Sequence, residues 1–131
     1  MRKFITIILF SSISFGLYSQ EYVWSVYNVK VDRVNAGQVV TAMDNYLSQP
    51  GNLVDGVTVS LFEIMFASDD NEATHVIAFT GDPDAMNAMY SAGQNDQWQV
   101  MMNTFDQLTE SKGSAAGRSI HTFNVDAEGP I

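Results

Sequence analysis

Residues 57–80, VTVSLFEIMFASDDNEATHVIAFT, decide the fold. The first run, Val57 to Ala67, alternates with period two. Val57, Val59, Leu61 and Met65 share one side with Glu63, while Phe62, Ile64 and Phe66 fill the other. Ser68-Asp69-Asp70-Asn71-Glu72 is a polar break with turn chemistry. Thr74 to Thr80 is a second β-rich run. Two strands joined so closely read as an antiparallel hairpin.

On the N-terminal side of the hairpin, Ala36, Val39, Val40, Met43, Tyr46 and Leu47 recur at helical spacing. Asn35 is placed to cap that helix, and Pro50-Gly51 ends it. Before it, Tyr22 to Val31 is rich in Val, Tyr and Trp on both alternating sides, which predicts a strand covered on both faces. On the C-terminal side, Gly81-Asp82-Pro83 is the clearest helix start in the chain. Asp82 is a good N-cap, Pro83 suits the first helical position and Asp84 favours the positive end of the helix dipole. That short helix runs to Ala92. Gly93-Gln94-Asn95-Asp96 interrupts it, with Asn95 or Asp96 capping the next piece. Trp98, Met101, Met102, Phe105 and Leu108 then form a second apolar stripe, ended by Lys112-Gly113. A Gly/Ser/Ala loop leads to a last strand, Arg118 to Val125, and the tail from Asp126 reads as a frayed end.

The element order is β-α-β-β-α-β. It predicts an α+β, ferredoxin-like domain: a four-stranded antiparallel sheet with its helices on one face. Right-handed crossovers give strand order 4-1-3-2. Helices cover only one face of such a sheet, and neither side of the 57–67 strand is polar. A large apolar patch would stand in water. An identical chain is the simplest cover, by the logic of a two-fold dimer.

This order of elements, with two-faced strands from Tyr22 to Val125, resembles the dimeric α+β barrel superfamily. Its members include small cofactor-independent monooxygenases and haem-degrading enzymes. The resemblance implies a homodimer enclosing a pocket, often apolar with a few polar groups, between sheet and helices. It carries no diagnostic motif, so it assigns no catalytic residue.

The first 19 residues read as a signal peptide, leaving a single domain over 20–131. Arg2 and Lys3 form the positive start, Phe4 to Phe10 the apolar run, and serines dilute its continuation to Leu17. Cleavage after Ser19 fits the small residues there, with Gly16 as the alternative. A retained membrane anchor is disfavoured, because a span needs roughly 20 apolar residues. The expected location is therefore secreted or periplasmic, with no stable membrane insertion after cleavage. Losing Arg2 and Lys3 takes the formal net charge from −9 to −11. A surface so acidic repels nucleic acid and anionic lipid. With no cysteine, disulfides, thiolate catalysis and Cys-ligated metals are excluded.

Four residues stand out as candidate ligand-binding groups: His75, His121, Asn28 and Trp98. Each histidine could accept a proton or donate a hydrogen bond in a pocket, although a lone histidine is more often an ordinary half-buried or edge residue. Strand order puts the first strand between them, about 10 Å apart at closest, so sharing a metal is awkward. Asn28 sits mid-sheet, where a buried amide needs partners. Trp98 belongs to a stripe that could line a pocket but is more often core. Glu63 interrupts an apolar strand, as an edge charge or a pocket carboxylate. Asp69 to Glu72 fits a solvated hairpin tip better than a calcium loop, since the alternation and glycine of such a loop are missing. No cofactor or metal is expected: phosphate-loop, G-x-S-x-G and H-E-x-x-H patterns are all missing.

Two readings stay open. One is an exported small-molecule-binding domain of the dimeric barrel type, with at most weak activity on a small apolar or aromatic ligand. The other is a non-catalytic structural or interaction domain that self-assembles through its apolar sheet face.

Overall fold

The computed structural model describes residues 21–92 and 94–121. The signal-peptide reading, residues 1–19, therefore lies outside the described residues. Strand β1 (Val23–Val31) leads through a 3-10 turn (Arg33–Asn35) into helix α1 (Ala36–Leu47). Strands β2 (Val57–Glu63) and β3 (His75–Gly81) form the hairpin. Helices α2 (Pro83–Ser91) and α3 (Asp96–Leu108) precede β4 (Thr109–Arg118). All neighbouring strands are antiparallel, in the order β2-β3-β1-β4. Read from the other edge this is the predicted 4-1-3-2, and the fold is ferredoxin-like.

Local chemistry explains the helix boundaries. The Asp82 carboxylate accepts from the Ala85 amide at 2.8 Å, and Pro83 occupies the first turn. Asn95 caps α3 in the same way, accepting from the Trp98 amide at 2.8 Å. Asn35 makes no such bond to α1; the 3-10 turn enters the helix directly instead.

The odd-numbered positions of β1, β2 and β3 face the helices. Val29, Val31 and Ile77 pack with Val39 of α1 and Phe105 of α3 in one cluster. Val57 packs with Ala85 and Met86 of α2 in a second. Val59 and Phe79 touch both, so the two clusters form one core. Thr74 stitches β3 to the end of β1: its amide donates to the Val29 carbonyl and its hydroxyl accepts from the Val31 amide, both at 2.9 Å.

Two expectations are corrected. Strand β2 stops at Glu63 rather than Ala67, leaving Met65 and Phe66 exposed in the connection to β3. The last strand is Thr109–Arg118, not Arg118–Val125; of the latter segment, 122–125 lies outside the described residues. The Gly/Ser/Ala segment expected to be a loop is thus the edge strand. Its residues are poor strand formers, but main-chain pairing with all of β1 holds it in place. Gly113, expected to end the helix, has φ 114° inside the strand. The register slips there, with Ser111–Ser114 set against Tyr27–Val29, which is a β-bulge. Helix α3 ends earlier, where the Thr109 hydroxyl donates to the Phe105 carbonyl at 2.8 Å.

The even-numbered positions form the open face of the sheet. Trp24, Val26 and Asn28 of β1 stand beside Val76, Ala78 and Thr80 of β3, then Phe62, Ser60 and Thr58 of β2. Phe62 is 49% exposed. Trp24 lies over the backbone of β4, and a Cβ on Gly117 would come within 2.5 Å of its Cζ2, so only glycine permits this approach. Apolar and polar side chains alternate on this face, and of the Phe62, Ile64 and Phe66 set expected to fill it only Phe62 lies within β2.

Candidate functional site

The helix-facing stripe of β1 reads Val23, Ser25, Tyr27, Val29, Val31, and two of these five carry hydroxyls. Ser25 is only 2% exposed. A buried hydroxyl needs a partner, and α2 supplies one. Met86 anchors α2 in the core, and Tyr90, one turn further on, falls on the same side of the helix. The Tyr90 hydroxyl donates to Ser25 Oγ at 2.5 Å, and the Tyr27 and Tyr90 hydroxyls lie 3.2 Å apart. Since Tyr90 donates to Ser25, Tyr27 donates to Tyr90. The three hydroxyls are thus linked in series, Tyr27 to Tyr90 to Ser25.

This hydroxyl cluster sits where the helical layer is incomplete. Helices α1 and α3 cover the Val29–Val31 end of the sheet, and α2 covers β2 and β3. The neighbouring positions of β4, Ser114 and Ala116, are exposed, as are Tyr27 (38%) and Tyr90 (56%). The floor is therefore dry and the rim wet. The edge of the Tyr27 ring meets Phe79 at 5.8 Å and 88°, which fixes the phenol against the core.

The phenol of Tyr27 is held above its ordinary pKa of 10.0. The hydrogen bond to Tyr90 is the main cause, followed by burial and by repulsion from a Tyr90 phenolate; the Ser25 hydroxyl works the other way. The Tyr27 phenol is thus neutral across the physiological range. It offers hydrogen bonds and no charge, beside an apolar wall.

The four residues singled out in the sequence do not converge. Asn28 pairs with Val76 on the open face, opposite the helices. His75 is on the helix side at the Val29–Glu63 end of the sheet, where the Thr74 hydroxyl lies 2.8 Å from its Nδ1. His121 follows Ser119, whose amide donates to the Tyr22 carbonyl at the opposite end of the sheet. The two histidines are thus separated along β1 by about six residues, or about 20 Å, and β1 does not flank His121 as expected, because β4 ends at Arg118. Trp98 starts α3 and meets the ring of Tyr46 edge-on at 5.5 Å. Glu63 pairs in register with His75 and is exposed.

Ser25, Tyr27 and Tyr90 were not singled out in the sequence. The available signal was two hydroxyl residues on the same alternating side of a strand as Val23, Val29 and Val31, and a tyrosine four residues after Met86.

A second polar cluster lies beyond the bulge. Lys112 Nζ bonds to Glu72 at 2.7 Å and Glu110 at 2.8 Å. These bonds raise the Lys112 pKa and lower that of Glu72. The carboxylates are exposed, so salt screens the group. Among the described residues, no group of three or more His, Asp or Glu side chains is arranged to hold a metal ion, and no helix is long and apolar enough to cross a membrane.

No protein-family model matches the chain, and no curated protein matches it in sequence. In backbone it is similar to a dimeric ferredoxin-like protein of unknown function from Thermobifida fusca (TM-score 0.48, 11% identity, covering 79% of this chain and 94% of that one). It is also similar to a DABB-family protein with a ferredoxin-like fold from Mesorhizobium loti (TM-score 0.48, 9% identity, 80% and 100%). A third is SnoaB, a cofactor-independent oxygenase from Streptomyces nogalater (TM-score 0.42, 13% identity, 83% and 100%). The assignment of the fold rests on the sheet order and the register given above.

Proposed function

We propose that this chain is an exported small-molecule-binding domain that works as a homodimer, with the Ser25–Tyr27–Tyr90 cluster as its ligand-contacting group. One observation carries the reading: two hydroxyls of β1 and one of α2 converge over a buried floor, with Tyr27 and Tyr90 open to solvent. A structural domain would more simply fill that place with an aliphatic side chain. Here the core holds a serine and two phenols that solvent reaches. Such a site suits a small aromatic or apolar molecule carrying one neutral hydrogen-bonding group. The groups that converge there are hydroxyls, so the reading is binding rather than catalysis.

The dimer follows from the open face. Half-buried Trp24, Val26 and Val76 and exposed Phe62 would otherwise leave apolar surface in water, and an isologous contact buries that surface on both copies at once. Export follows from the character of residues 1–19, and puts both surfaces outside the cytoplasm.

The test is an NMR titration of the mature chain with naphthol, a bicyclic phenol. The expected result is saturable shifts at Tyr27, Phe79 and Tyr90, with affinity reduced in Tyr27→Phe and Tyr90→Phe. Shifts confined to the open sheet face, or no saturation at all, would move the function to self-assembly alone.

A further inference from the structure

The outer side of the helical layer carries a groove remote in character from the hydroxyl cluster. Helices α1 and α3 pack side by side and run antiparallel, with Gly37 near Thr104 at one end and Gln49 near Gln97 at the other. The groove between them measures about 580 Å³. Gly37, Asn45, Tyr46, Gln49, Gln97 and Thr104 contribute to its walls. No wall residue is charged, on a chain with 15 acidic residues.

The groove is a built feature on two counts. First, one end is fastened. The Asn95 amide donates to Asn52 Oδ1 at 2.9 Å, and Asn52 Nδ2 donates to Gln97 Oε1 at 2.6 Å and to the Tyr46 carbonyl at 2.8 Å. The edge-on contact of Trp98 with Tyr46 adds to this tie between the helices. A groove held open before the ligand arrives costs less to fill. Second, Gly37 lines the other end in the first turn of α1, where a Cβ would meet nothing within 4 Å, so that end is open.

We propose that this groove binds a neutral carbohydrate. Side-chain amides present donors and acceptors together, matching hydroxyls that also do both. The uncharged walls give no preference to an ionic ligand, and the Tyr46 ring and Val100 offer apolar surface to the C–H faces of a sugar. From Gly37 to Leu47 the helix axis runs about 15 Å, a length for an oligosaccharide rather than a single ring. This site is independent of the hydroxyl cluster, and either can fail without the other.

The experiment is proton–nitrogen correlation NMR on the mature chain, titrated with cellotriose, maltotriose and chitotriose. Each goes to about 20 mM, enough to saturate a Kd of about 1 mM. The expected result is that at least one gives saturable shifts at the side-chain amides of Asn45, Gln49 and Gln97, with Tyr27 and Tyr90 unmoved. Gly37→Leu fills the open end with a better helix former, so the spectrum elsewhere stays in place and affinity falls by about tenfold or more. The pair Asn45→Ala and Gln49→Ala lowers affinity without filling the groove. The proposal is overturned if none of the three sugars saturates, if the shifts fall elsewhere, or if Gly37→Leu binds undiminished. It is equally overturned if a neutral Gln/Ser-rich peptide saturates the groove and the sugars do not.

Discussion

Removing one oxygen tests the hydroxyl cluster. Tyr90→Phe keeps the aromatic surface of α2 and deletes the donor to Ser25. The cost falls on Ser25 rather than on Tyr90. Ser25 is 2% exposed, so water does not readily replace the lost bond, and a buried acceptor without its donor costs about 1–3 kcal/mol. The reverse change, Ser25→Ala, leaves the Tyr90 hydroxyl, which is half in water and rehydrates; it should cost less than about 1 kcal/mol. The double variant then costs less than the sum of the singles, with a coupling of at least about 0.5 kcal/mol. Urea unfolding of the four proteins of this cycle measures it. A second readout is independent of stability. The Tyr90 hydrogen bond is the largest cause raising the Tyr27 pKa, so ultraviolet titration should show Tyr27 ionising at lower pH in Tyr90→Phe. The sign for the wild type follows. A phenol held above 10.0 in the folded state contributes stability that is complete below that pH and is lost as pH rises through the folded value. Tyr90→Phe should therefore show a smaller alkaline loss of stability. If the cycle is additive and Tyr27 titrates unchanged, the cluster does not exist as described.

Other changes address the scaffold. Phe105 is buried where α3 meets Val29, Val31 and Ile77, and Phe105→Ala should cost about 3–5 kcal/mol in urea unfolding. Gly113→Ala places a Cβ at φ 114° in the β4 bulge; strain of about 1–2 kcal/mol should appear as a lower unfolding midpoint. Asp82→Ala removes the α2 cap and should cost about 1 kcal/mol. Phe62→Asp puts a charge on the open face beside Val76, and sedimentation should then find a monomer if the parent chain proves dimeric.

Where local chemistry and tertiary structure agreed, the sequence was legible. Asp82-Pro83 starts α2 because a cap carboxylate and a proline act within one turn, and the period-two runs of β1, β2 and β3 show their buried sides directly. Strand β4 was hidden because its pairing is supplied by β1. Thr109–Arg118 contains Gly, Ser and Ala, with no β-branched run of its own, so the expected strand moved downstream to richer sequence. The hydroxyl cluster was hidden for a related reason. Ser25 and Tyr27 stand two residues apart, but Tyr90 joins them only through the placement of α2. Conversely, His75, His121, Asn28 and Trp98 drew notice by residue type, and the fold sends them to different faces and ends of the domain.

Native mass spectrometry of the chain purified from cells that express it tests the binding reading. The expected result is a dimer with a small molecule attached, and release of that mass in the variant carrying Tyr27→Phe and Tyr90→Phe. A monomer with no added mass would contradict it, leaving the open sheet face and the hydroxyl cluster without the partners assigned to them.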